Sequence, residues 1–158
     1  MKNQLIATAA FAAITAFTSA PALAVGDSTP ARPAAKADPD FEAGKAAIRS
    51  ENWSAAIVSF NKVAAREPGN ADAQNWLGYA NRKSGNLDLA FKHYNEALRL
   101  DPKHRGAHEY IGEAYLMKGD VAKAREHLST LDRLCFFPCE EYSDLKKAIA
   151  EHEQKMAK

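Results

Sequence analysis

Small, large and turn-forming residues recur along this chain at a spacing of 34 from residue 37 onward. Gly44, Gly78 and Gly112 share one phase, Ala46, Ala80 and Ala114 another, and Ala56, Ala90 and Ala124 a third. Large apolar residues hold two more: Phe60, Tyr94 and Leu128, and Trp53, Leu87 and Val121. The pattern predicts two amphipathic helices joined by a short turn in each of the blocks 37–70, 71–104 and 105–138. The small residues are expected where the paired helices cross, because only they let two backbones approach closely. The large residues then fill the neighbouring gaps.

The punctuation fits the same scheme. Gly85-Asn86 and Gly119-Asp120 are expected to turn the chain and cap the following helix. Pro68 and Pro102 stop the second helices of their blocks, and Asp38-Pro39 places a cap before proline at a first helical position. Two departures fall in the outer blocks: Glu51-Asn52 lacks the turn glycine, and the third block ends in Phe136-Phe137-Pro138. Residues 139–158 predict a seventh helix that caps the stack, with Tyr142, Leu145, Ala148, Ile149 and His152 along one stripe. Glu140 and Glu141 in its first turn and Lys155 and Lys158 at its end suit the helix dipole. Its other face is expected to be solvated.

Residues 1–24 have a different character. Lys2 precedes an uncharged run of apolar and small residues, Pro21 breaks it, and Ala22-Leu23-Ala24 offers a small-x-small cleavage site. That is the layout of a secretory signal peptide, and it predicts a periplasmic or secreted chain without a stable membrane anchor after cleavage. The following Pro/Ala-rich stretch, residues 25–37, lacks core-forming hydrophobes and is expected to be a flexible linker.

Charge narrows the choice of partner. The 21 basic and 20 acidic residues of the 158 nearly cancel. With Lys2 removed there is no basic excess, so nucleic acid is a poor candidate. Near-neutrality also leaves self-association open, because copies would repel one another weakly.

The middle block, with Leu77-Gly78, Gly85-Asn86, Ala90, Tyr94, Ala97 and Leu100-Asp101-Pro102, closely resembles the tetratricopeptide repeat consensus, and the whole chain resembles an exported bacterial member of that family. The resemblance implies an all-α solenoid of three helix pairs plus a C-terminal capping helix. It also implies a non-catalytic scaffold that holds a peptide or protein segment on the concave side, lined by the first helix of each pair. The positions it assigns to that groove are Phe41, Lys45, Ile48 and Arg49, then Asn75, Tyr79, Arg82 and Lys83, then Glu109, Glu113, Leu116 and Met117. One subtype of the family clamps a C-terminal carboxylate with lysine and asparagine. At those slots this chain has Phe41, Lys45, Trp76, Gly106 and Tyr110, so that specificity is not expected.

Cys135 and Cys139 flank the segment between the last repeat and the cap. In an oxidising compartment the two thiols are expected to pair, with Pro138 breaking the helix so that a turn can join them. Free or intermolecular thiols, a redox role and metal binding are the alternatives. The spacing is not that of thioredoxin-type motifs, and Glu140 stands where haem attachment would need histidine. His104 and His108 lie four apart, and His93 and His127 share a repeat slot; without a third ligand they are read as solvated or packing residues, as are Trp53 and Trp76. No catalytic set, phosphate loop or cofactor motif emerges. Three functions follow: a periplasmic protein-interaction module, a thiol redox or metal-sensing protein using Cys135 and Cys139, or a self-associating structural protein.

Overall fold

A computed structural model describes residues 38–137 and 139–157 of the chain. The expected signal peptide and linker lie outside the described residues. The described part is all-α, with seven helices and no strand: α1 (Pro39–Arg49), α2 (Trp53–Arg66), α3 (Ala71–Lys83), α4 (Leu87–Leu100), α5 (Arg105–Met117), α6 (Val121–Leu134) and α7 (Glu140–Met156). The pairs α1/α2, α3/α4 and α5/α6 fall within the three sequence blocks and stack in order, each on the next. None of these helices is long and apolar enough to cross a membrane.

The helix ends follow from short-range chemistry. Asp38 accepts hydrogen bonds from the backbone N–H groups of Asp40 (2.8 Å) and Phe41 (3.1 Å), with Pro39 just inside the helix. Asn52, Asn70 and Asp120 cap α2, α3 and α6 in the same way. Asn86 occupies the cap position of α4, but its side chain makes no capping bond, so the expected cap is only half realised there. Gly85 and Gly119 turn with φ of +84° and +77°. The first block has no glycine at this point, and Glu51 takes φ of +55° instead.

A left-handed non-glycine residue carries a strain of about 1–2 kcal/mol, partly offset in glycine by its greater unfolded-state freedom. Glu51→Gly is therefore expected to stabilise the fold by about 0.5–1 kcal/mol. Urea unfolding checks this; a lower midpoint than wild type would show that Glu51 is unstrained.

Close approach explains the phased glycines. A methyl group on Gly44 would come within 2.7 Å of the Phe60 ring, and one on Gly78 would meet the Tyr94 ring. The third pair breaks the pattern. Leu128, expected to match Phe60 and Tyr94, is half-buried, and the space over Gly112 is filled from α7, where Leu145 would lie 2.6 Å from an added methyl. Leucine is shorter than the aromatic residues before it, and α7 packs more extensively on α5 than on α6. Three buried clusters result. Ala47, Ala56, Phe60, Leu77 and Ala80 form the first; Ala90, Tyr94, Ile111 and Ala114 the second; Leu116, Ala124, Leu131, Leu145 and Ile149 the third. Ala80 and Ala114 are buried but Ala46 is exposed, since no described helix precedes α1.

Cys135 ends α6 and Cys139 precedes α7, with their sulfurs at disulfide distance (2.01 Å). Phe136 and Phe137 project from this short loop, 93% and 75% exposed.

Candidate peptide-binding groove

The helical repeat sets Tyr79, Arg82 and Lys83 on one face of α3. On α5 it does the same for Glu109, Tyr110, Glu113, Leu116 and Met117. These faces, together with Ala148, Glu151, His152 and Lys155 of α7, enclose a cleft of about 760 Å³. Glu151 and Lys155, on the face of α7 expected to be solvated, thus join Ala148 and His152 of the packing stripe in one wall. The available signal was spacing: Glu151 and Lys155 recur at helical intervals beside Ala148 and His152 of the packing stripe. A second cleft of about 310 Å³ adjoins the first through Glu109 and Tyr110, and Asn75, Trp76, Gly106 and Asp144 are among the residues lining it.

The α1 positions assigned to the groove do not reach either cleft. Phe41 packs edge-on against Phe60, with ring centroids 5.4 Å apart, and Ile48 packs against the same cluster. Lys45 pairs with Glu42 at 3.3 Å, and Arg49 is exposed. With no described helix before it, α1 turns these residues onto its own pair and into solvent. The structure therefore brings together the α3 and α5 candidates and leaves the α1 candidates apart.

Aromatic rings support the floor. Trp76 stacks on Phe60 at 6.1 Å and meets the edge of Tyr79 at 5.6 Å; Tyr79 in turn lies 4.9 Å from Tyr110 and 6.1 Å from Trp53. Both tryptophans are thus packing residues, and Trp76 also borders the smaller cleft. Arg82 is the central cation. It pairs with Glu113 at 2.6 Å, donates to the Tyr94 hydroxyl at 3.3 Å, and lies 5.3 Å and 5.7 Å from the Tyr79 and Tyr110 ring centroids. Burial pushes the Tyr94 and Tyr110 hydroxyls above the ordinary phenol range, so both stay neutral.

Glu109 is the unusual acid. It is 8% exposed, and burial, reinforced by Glu113, Asp144 and Glu141, raises its carboxyl to about 8; Arg82 acts in the opposite direction but does not prevail. Its side chain makes no hydrogen bond or ion pair with a described residue, Arg82 being paired with Glu113. Asn75, 3% exposed, likewise leaves its Oδ1 without a hydrogen-bond partner.

The histidines do structural work. His104 caps α5 through Nδ1 and faces Asp72 through Nε2 at 3.0 Å, and His93 Nδ1 meets Gln74 Oε1 at 2.8 Å. His108 and His127 share one hydrogen bond between their Nδ1 atoms at 2.9 Å. Burial and the neighbouring His108 lower His127 to about 4, so the pair is neutral at pH 7. Among the described residues no three His, Cys, Asp or Glu side chains are disposed to hold a metal ion.

A comparison with curated proteins gives no match. Among solved structures the chain is similar to the Yersinia enterocolitica type III secretion translocator chaperone SycD, at 19% identity over 75% of this chain and 84% of that one, with a TM-score of 0.66. The TPR2B domain of yeast Sti1 is 18% identical over 73% of this chain and 94% of its own, with a TM-score of 0.67. The first TPR of Spaghetti (RPAP3) is 18% identical over 75% and 91%, with a TM-score of 0.63. At these identities the likeness concerns the fold. Two family models, each described as a tetratricopeptide repeat, match residues 41–105 and 81–149 and together span well over half of the 158 residues. The chain belongs to the tetratricopeptide repeat family.

Proposed function

We propose that this protein is a non-catalytic interaction scaffold of the periplasm that holds a segment of another polypeptide in the cleft between α3, α5 and α7. The observation that carries this reading is the cleft itself. It offers half-buried Tyr79 and Tyr110, the exposed Met117, and charges of both signs on a rigid helical frame. Similar folds hold segments of this kind: SycD has been solved with a peptide of the translocator YopD, Sti1 TPR2B in a complex with pHsp70, and Spaghetti with the HSP90 peptide SRMEEVD. Periplasmic residence rests on the signal-like residues 1–24.

Crosslinking in the native envelope, followed by pull-down, tests the groove. Met117→Glu places a charge at an exposed position of the cleft wall and should not disturb the core, while Tyr79→Ala removes a lining ring. Both variants are expected to lose most of the prey that wild type recovers, with circular dichroism showing them folded. Equal recovery by all three chains would place the partner elsewhere. Fractionation and intact mass test export: a mature chain starting at Val25 is expected in the periplasm. Alkylation with and without reductant, read by mass, is expected to show Cys135 and Cys139 bridged there.

A further inference from the structure

We infer that the smaller cleft is a recognition pocket for a lysine or arginine side chain of the bound polypeptide. This rests on the groove reading above and assigns the chemistry of its occupant. Five carboxylates line the pocket from three helices: Asp72 of α3, Glu109 of α5, and Glu140, Glu141 and Asp144 of α7. Asp72 is engaged by His104 at 3.0 Å, and Glu141 by Arg105 at 3.5 Å. Glu109, Glu140 and Asp144 have no ion-pair partner among the described residues, and Arg82, the cation whose charge acts on Glu109, is bound to Glu113.

A surface cluster of acids would mean little, but this one includes two side chains that are more than nine-tenths buried and have no side-chain partner among the described residues. Glu109 reaches into the pocket almost wholly buried, and the Asn75 carbonyl has no hydrogen-bond partner. Buried acceptors are satisfied by donors, and no described donor reaches the Asn75 carbonyl oxygen. A ligand that satisfies this oxygen and the unpaired carboxylates carries several N–H groups and positive charge. The carboxylates do not converge closely enough to hold a metal ion. They are distributed along a cleft, as an ammonium or guanidinium group on a flexible stem requires. Trp76 and Tyr110 border the same space and offer aromatic faces to that stem and its charge. Glu109 and Tyr110 border both clefts, so a segment lying in the larger one can drop a single side chain into the smaller.

Protonation follows from the same geometry. Glu109 faces Glu113 and Tyr110 on its own helix, Glu141 and Asp144 from α7, and Arg82 and Tyr79 from α3. It titrates at about 8. A seated cation favours the ionised carboxylate, so binding at neutral pH releases a proton, and affinity rises as pH increases from 6 to 8.

The test uses the full chain, amide NMR shifts and three capped peptides: acetyl-AAKAARAA-amide, acetyl-AAQAAQAA-amide and acetyl-AAEAAEAA-amide. The basic peptide is expected to shift amides of α3, α5 and α7, and to weaken with added salt. Glu109→Gln and Asp144→Asn should each reduce its affinity about tenfold. Glu126→Gln, an equal change of charge at an exposed α6 position lining neither cleft, should leave it unchanged. If the neutral and acidic peptides bind as well as the basic one and Glu109→Gln has no effect, the inference fails while the groove reading survives. If none of the three shifts the groove amides, both fail. If Arg32→Ala with Lys36→Ala in the full chain tightens the basic peptide tenfold, the pocket's occupant is the chain's own N-terminal segment, and assignment to a partner is overturned.

Discussion

Phe60→Ala is expected to cost about 3–5 kcal/mol, enough to remove a large share of the stability of a domain this size. Phe60 is fully buried, with its ring against Gly44 on one side, Phe41 edge-on at 5.4 Å and Trp76 stacked at 6.1 Å on another. Truncation would leave a cavity that none of these neighbours can close. Gly44 has no side chain to advance, and Trp76 is also held by Tyr79 and Tyr110. The residue lies between α1 and α3, so the loss should loosen the first helix pair from the stack as well as lower the global midpoint. Urea unfolding monitored by tryptophan fluorescence reads both effects, since Trp53 and Trp76 lie in this region. A midpoint close to wild type would mean that the phase placing Phe60 over Gly44 is wrong.

Glu109→Gln is expected to have the opposite sign and to depend on pH. The native carboxyl titrates at about 8, well above its ordinary value of 4.5. Between those values the folded state keeps a proton that the unfolded chain has released. Stability therefore falls as pH rises through that window, with a slope of at most about 1.4 kcal/mol per unit for one proton. Glutamine keeps the size of the side chain and cannot ionise. At pH 5 the variant should melt with wild type. At pH 9 it should be the more stable of the two, by on the order of 2 kcal/mol once solvent access to the cleft is allowed for. Thermal melts across pH 5–9 check this, and superimposable curves at pH 9 would mean that Glu109 ionises freely in water. A buried acid that weakens its own fold is what a binding pocket would retain, and the same variant is expected to bind the basic peptide poorly. The two readouts moving in opposite directions separate a recognition role from a structural one.

Much of the fold was legible because the determinants are local and repeated. Gly44 and Gly78 each face a large ring 16 positions further along, as the phased pattern implied. The caps at Asp38 and Asp120 act within three residues of themselves. The clefts were legible only in part. Positions on α3 and α5 line them together because equivalent positions on stacked first helices point the same way. Phe41 lies apart because α1 is the outermost described helix and its ring packs inward on Phe60. His152 and Lys155 were missed because nothing local states which neighbour a capping helix will lean on.

The sequence by itself therefore determined the helices, their pairing and the order of the stack, all of which depend on contacts repeated every 34 residues. Tertiary structure alone decided that Leu145 rather than Leu128 covers Gly112, and that α7 lies against α5 and walls the cleft. It also decided that Glu109 is mostly buried without an ion-pair partner among the described residues. These outcomes depend on how two non-repeating surfaces meet, where one side chain's length shifts a whole helix. A periodic pattern carries no record of that contact.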